Sequence, residues 1–195
     1  MMPVYRDLSR LLRVNLMAYD YTGYGPEPSG LPNVSNALAD VAAVFTHLKE
    51  RHGVRPEDVV LYGQSVGSGP TSWLAVAEPS VAGVVLHSPL MSGVRVLQPN
   101  VRFWPGWLDI FPNHLLVPRI RAPLLVLHGT ADEVIHVSAG ERLAALAPNG
   151  VPPLLAQGFD HQNVECCPDY LPRLREFLAQ LFPDDYGLPS ARRQP

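Results

Sequence analysis

The chain has 195 residues, 47% of them hydrophobic, which is enough for one sizeable core and excludes disorder over most of the length. Fifteen basic against eighteen acidic residues leave a formal charge of −3, so nothing electrostatic points to nucleic acid as a partner. The only two cysteines, Cys166 and Cys167, are adjacent, which argues against a disulfide-stapled secreted domain and against zinc ligation at finger spacing.

Residues 1–12 read as the end of a helix, with Arg6, Asp7 and Arg10 and no apolar run of signal-peptide length. No stretch approaches the roughly 18 apolar residues of a membrane span, so the expected compartment is the cytosol. From there apolar runs alternate with helical patterns, the signature of βαβ units around a parallel sheet. Residues 14–19 (VNLMAY) predict a buried strand ending in the loop D-Y-T-G-Y-G. Residues 33–51 predict an amphipathic helix with Leu38, Val41, Phe45 and Leu48 on one face, Asn33 or Ser35 as N-cap and Gly53 as stop. Residues 59–62 predict a second strand and residues 65–77 a helix, despite early glycines and Pro70. Strands follow at 81–87 and 124–128, a helix around 141–146, a short strand at 154–157 and a closing helix at 170–182. Residues 88–120 break the alternation with Phe103, Trp104, Trp107, Phe111 and several prolines, and read either as a lid over an acyl site or as an irregular surface segment. The expected division is one domain over residues 1–182 and a frayed polar tail over 183–195.

The strongest chemical signal is G-Q-S-V-G, Gly63 to Gly67, set between the strand V-V-L-Y and a helical run. A serine hydroxyl is a weak nucleophile and must stand clear of the sheet where a base can reach it. A tight strand-to-helix turn does this, and Gly63 and Gly67 are expected to be glycines because a Cβ would collide there. Ser65 is therefore the candidate nucleophile, and the N–H of Val66, the next residue, the candidate oxyanion donor at a helix N-terminus. The acid and base should follow in the order Ser, Asp, His. L-L-V-L-H-G-T-A-D-E is an apolar strand running into a turn that carries Asp132, with Glu133 as the weaker neighbour. His161, in the polar loop Q-G-F-D-H-Q-N, is the candidate base; His136 follows Asp132 too closely to return over the site. His87 and His128 end strands and read as structural, His47, His52 and His114 as surface or helix residues, and Asp160 as a neighbour of the base or a solvent-facing group. This chemistry needs neither metal nor cofactor.

Five phrases in order, Y-D-Y-T-G-Y-G, L-Y-G-Q-S-V-G-S-G-P, V-V-L-H-S-P-L-M-S-G-V-R-V, L-V-L-H-G-T-A-D-E-V and G-F-D-H-Q-N, resemble the alpha/beta-hydrolase domain-containing protein seventeen family of protein depalmitoylases, plant and algal relatives included. The likeness runs over residues 11–182 and implies an α/β-hydrolase fold, a mostly parallel sheet with helices on both faces, lacking its N-terminal strands. It implies removal of long-chain acyl groups from cysteine thioesters of membrane-bound proteins, with Ser65, Asp132 and His161 as the catalytic residues. An acylated protein or long-chain acyl ester is then the expected partner, and membrane contact comes through that substrate. In the family a strand and a His-Gly-Asn turn precede Y-D-Y-T-G-Y-G and supply a second oxyanion donor. Nothing before Val14 reads as that strand, so a shortened chain is expected, without the family's cysteine-rich membrane anchor and with its own activity in question. The resemblance also places a strand between residues 14–19 and 59–62; without it the two either stay apart or collapse together. Other ester or acylglycerol hydrolysis, serine peptidase activity on the same fold, and an inactive hydrolase serving as a binding module are the alternatives.

Overall fold

The computed structural model describes residues 2–25, 30–94 and 109–186. The elements follow the apolar pattern in chain order: α1 Met2–Leu12, α2 Val34–His52, β1 Val60–Gln64, α3 Ser68–Ala77, β2 Gly83–His87, α4 Asn113–Leu116, β3 Leu124–Gly129, α5 Ser138–Leu146, β4 Leu154–Ala156, α6 Tyr170–Leu181 and α7 Pro183–Tyr186. The candidate lid aromatics Phe103, Trp104 and Trp107 lie outside the described residues.

The four strands form one parallel sheet in the order β1-β2-β3-β4, so every strand ends on the same edge. Gln64 sits beside His87, and Gly129 beside Ala156, at that edge. β2 and β3 are buried along their whole length, as expected of central strands covered on both faces. Alternate residues divide the core. Val84, Leu86, Leu124 and Val126 pack with Val41 and Phe45 of α2, Leu74 and Ala75 of α3 and Leu143 of α5. Val85, Leu125, Leu127 and Ala156 pack instead with Leu8 and Leu12 of α1 and with Tyr170, Leu174, Phe177 and Leu178 of α6. The spacing of those four α6 residues, one apolar stripe on a 3.6-residue period, is why that segment is a helix.

α2 forms where its caps dictate. The Asn33 side chain, rather than Ser35, accepts from the Asn36 N–H at 2.8 Å, and Gly53 ends the helix in the left-handed region at φ 62°. Basic residues Lys49, Arg51 and His52 fill its last turn, where the helix dipole favours them.

Two sequence expectations fail. Residues 14–19 do not form a strand: they run without ladder partners, Leu16 and Met17 stay about two-fifths exposed, and Tyr19 alone of this run packs on the first core layer. An apolar run becomes a strand only where a neighbour accepts and donates its backbone hydrogen bonds. Among the described residues β1 is paired on one side only, by β2, and residues 14–19 remain apart from it. The start of the tail is not frayed either. Pro183–Tyr186 is a helical turn, and the Tyr186 hydroxyl donates to the Leu12 carbonyl at 2.8 Å, satisfying one of the free acceptors at the end of α1. Residues 187–195 lie outside the described residues.

Candidate active site

β1 ends at Gln64, and the chain turns at Ser65 through a 3-10 turn, Ser65–Gly67, before α3 begins at Ser68. Ser65 has φ 51°, a left-handed conformation that strains a residue with a side chain by about 1–3 kcal/mol. That strain lifts its hydroxyl off the strand ends. Gly63 has the steric reason predicted for it: a Cβ there would lie 2.5 Å from Thr71 Oγ1 and 2.6 Å from the Gly67 carbonyl oxygen. Gly67 does not. A Cβ at Gly67 would meet only the Tyr21 hydroxyl, at an ordinary 3.6 Å, so the second glycine of the motif leaves room beside the nucleophile instead of relieving a clash.

The three candidate residues converge. His161 Nε2 is 3.0 Å from Ser65 Oγ, and His161 Nδ1 is 2.7 Å from Asp132 Oδ2. Each partner is delivered by a loop at the carboxyl edge of the sheet: Ser65 after β1, Asp132 after β3, His161 after β4. The acid and base loops are locked to each other by the backbone. The Ala131 N–H donates to the Phe159 carbonyl at 2.9 Å, and Gly129 packs so closely on that carbonyl that a Cβ would overlap it. Asp160 stays exposed and ties its own turn, accepting from the Gln162 N–H and the Asn163 amide, rather than facing His161.

The Asp132 side chain is fully buried. Burial alone would raise its pKa, but the Ile135 N–H at 2.7 Å, His161, and the Val134 N–H at 2.9 Å outweigh it and hold the carboxyl below its usual value. Glu133 is exposed, and the exposed His136 bonds to Ser138, 2.9 Å away, rather than to the site. Val66, the expected oxyanion donor, stands more than half exposed beside Ser65, in the turn between β1 and α3.

The structure also shows four features that sequence reasoning missed. Asn113, fully buried, donates from Nδ2 to Ser68 Oγ and the Leu90 carbonyl, both at 2.9 Å, while Ser68 Oγ donates to the Ser65 carbonyl at 2.6 Å. This chain of bonds braces the Ser65 turn; its sequence trace is the polar pair Asn113-His114 in an otherwise apolar stretch. Thr22 donates its N–H and hydroxyl to the Asp40 carboxylate at 2.7 and 2.8 Å, which fastens the Tyr21 loop to α2. At the end of β2, His87 Nδ1 lies 2.7 Å from the Tyr62 hydroxyl, itself 2.9 Å from the Tyr170 hydroxyl. Burial, with smaller contributions from neighbouring His128 and His161, pushes His87 down to about 4, so it is neutral at physiological pH and shares a single ring hydrogen with this hydroxyl pair. His128 is also buried and bonds to the Ile135 carbonyl at 2.8 Å, as befits a structural residue, but its Nε2 reaches Asp132 Oδ2 as well, at 3.2 Å.

The hydrolase family described as serine aminopeptidase, S33, matches residues 13–119, more than half of the chain and including the Ser65 turn. The chain belongs to this family. Among individual family relatives, the mouse alpha/beta hydrolase domain-containing protein 17C is 41% identical over 180 residues, 92% of this chain and 55% of that protein. The human protein 17B is 42% identical over 176 residues, 90% of this chain and 60% of that protein. The chain thus spans somewhat more than half the length of the curated relatives it matches, and they are members of the group that the five sequence phrases resemble. Among solved structures, a monoacylglycerol lipase from Paleococcus ferrophilus superposes with a TM-score of 0.64 at 21% identity, covering 92% of this chain and 88% of that one. An esterase from a Rhodococcus species superposes at 0.62 with 23% identity, covering 83% and 79%. These likenesses show the α/β-hydrolase fold. No helix among the described residues is long and apolar enough to cross a membrane.

Proposed function

We propose that this chain is a serine hydrolase of acyl thioesters and esters, acting on S-palmitoylated proteins. One observation carries the reading: a strained, left-handed Ser65 whose hydroxyl lies 3.0 Å from His161 Nε2, with His161 Nδ1 2.7 Å from a buried, ionised Asp132. In this reading Ser65 Oγ attacks the acyl carbon while its proton passes to His161 Nε2. Asp132 fixes the imidazole tautomer and stabilises the imidazolium. The Val66 N–H takes the oxyanion of the tetrahedral intermediate. Collapse expels the cysteine thiolate, which takes the proton from His161, and leaves the acyl group on Ser65. Water, deprotonated by the same His161, then releases the fatty acid and restores Ser65.

The preference for a long acyl chain rests on the resemblance of the five sequence phrases to a family of protein depalmitoylases and on the apolar side chains of Val66 and Val134, both more than half exposed next to Ser65 and Asp132. The test is a series of thioesters from short to palmitoyl length. Each methylene buried in a groove contributes about 0.8 kcal/mol, so kcat/KM should climb by about an order of magnitude with each added pair of carbons until the groove is filled. A flat series, or a preference for acetyl esters or amino-acid amides, would replace this reading with a general esterase or a peptidase.

A further inference from the structure

Resting on that reading, we propose that His128 is a positioning residue for the reaction: its Nε2–H, directed at the Ile135 carbonyl, also lies 3.2 Å from Asp132 Oδ2, the oxygen that His161 uses, and through this shared, longer contact holds the acid in place and tempers its charge. Hydrogen-bond accounting fixes the protonation of His128. Its Nε2 faces two groups that can only accept, the Ile135 carbonyl at 2.8 Å and the Asp132 carboxylate at 3.2 Å, so Nε2 carries the hydrogen. Among the described residues its Nδ1 is buried without a partner, against Gly140 on α5, where even a Cβ would overlap the ring nitrogen. A proton on Nδ1 would have no acceptor. Burial, the largest influence, lowers the His128 pKa, while its bonds to Ile135 and Asp132 and the Asp132 charge oppose that and the nearby His161 adds to it. The contact with Asp132 is therefore a neutral donor meeting a carboxylate rather than an ion pair.

The acid is enclosed by donors as a result. A carboxylate has about four lone-pair directions. Oδ1 receives the Val134 and Ile135 N–H groups at 2.9 and 2.7 Å, and Oδ2 receives His161 at 2.7 Å, with His128 Nε2 in longer contact at 3.2 Å while its N–H also serves the Ile135 carbonyl. With three positions bonded and the fourth faced by His128 Nε2, the carboxylate has no other orientation of equal energy. The titratable groups facing His128 among the described residues are Asp132, His161 and, from β2, His87; α5 contributes only the Gly140 backbone at this point. Removing the His128 donor leaves Oδ2 with one bond. The carboxylate becomes more basic, the imidazolium beside it is favoured, and the base is lost to protonation at a higher pH.

The experiment measures the rate of fluorophosphonate labelling against pH for the whole chain, His128→Phe and His128→Gln. Phenylalanine keeps the ring and removes the donor; the glutamine amide can restore an N–H to Asp132. The expected result is an acid limb moved up by roughly half a unit to one unit in H128F, with a plateau about tenfold lower, as for one lost charge-assisted hydrogen bond. H128Q should return both toward wild type. An unmoved limb in folded H128F, or H128Q behaving as H128F, overturns the proposal. Nitrogen NMR of histidine-labelled wild-type protein supplies a second arm that needs no turnover and no variant. At neutral pH His128 should show a protonated Nε2 and bare Nδ1; the opposite tautomer, or a doubly protonated ring there, overturns it. Absence of wild-type labelling with the predicted tautomer would instead refute the hydrolase reading, and the low-field His161 Nδ1 proton, expected to shift in H128F and recover in H128Q, then decides the His128 coupling by itself.

Discussion

Replacing Asp132 by asparagine changes one atom and should disable the base. The Val134 and Ile135 N–H groups both point at Oδ1, so the amide oxygen must occupy that position and the amide nitrogen must face His161 and His128. An amide N–H can donate to His161 Nδ1 only if that nitrogen is bare, which places the imidazole proton on Nε2, 3.0 Å from Ser65 Oγ. The ring then cannot accept the serine proton. A wrong-tautomer defect of this kind lowers turnover by about 10⁴ in serine proteases, and we expect a loss of that order here. The amide nitrogen also meets the His128 Nε2–H donor to donor, so stability should fall by about 1–3 kcal/mol. The assay is the second-order rate of fluorophosphonate labelling at neutral pH, beside thermal unfolding, with exposed Glu133→Gln and His136→Ala as controls that should label like wild type. Labelling of folded D132N within about tenfold of wild type would refute the argument.

The remaining predictions concern acid sensitivity and the nucleophile turn. His87 has a folded pKa of about 4 against about 6.5 unfolded, so the unfolded chain binds the extra proton between those values. Its contribution, about 3 kcal/mol, is complete above about pH 6.5 and disappears as the pH falls toward 4; urea midpoints should fall over that window and fall less in His87→Gln. The depressed pKa of Asp132 acts lower, its stabilisation being present above about pH 4 and lost as the carboxylate protonates below it; D132N should show a flatter stability profile there. At the turn, Gly63→Ala must push against Thr71 and the Gly67 carbonyl and should lose about 1–3 kcal/mol, whereas Gly67→Ala meets only the Tyr21 hydroxyl and should melt near wild type. Equal destabilisation by the two would contradict the distinction drawn between the glycines. Asn113→Ala removes the brace under Ser68 and should lower both stability and labelling rate, read by the same two assays.

The contrast between what was legible and what was not follows the range of the interactions. Helix α2 was readable to its caps because Asn33 and Gly53 act on backbone within a few residues. The Ser65 turn was readable because a strand, two glycines and a helix adjoin it in sequence, and Asp132 and His161 because each follows its own apolar strand. Residues 14–19 were misread because strand formation depends on a distant neighbour, and the apolar run is the same with or without one. The Asn113 brace spans 45 residues to Ser68, and the Tyr62–Tyr170 bond spans 108; no local pattern announces either. Gly67 was misjudged for another reason: its place in a motif says nothing about which atoms surround it. His128 sits four residues before Asp132 on the end of β3, close enough in sequence to suspect, yet only the turn between them decides that its ring faces the carboxylate.

The central claim is that Ser65 is the nucleophile, and the most direct measurement is intact-mass and peptide analysis after fluorophosphonate treatment. The account predicts one adduct per chain, mapped to Ser65, and no adduct on a folded Ser65→Ala variant. An adduct retained by that variant, or mapped to another residue of the wild-type chain, would contradict it.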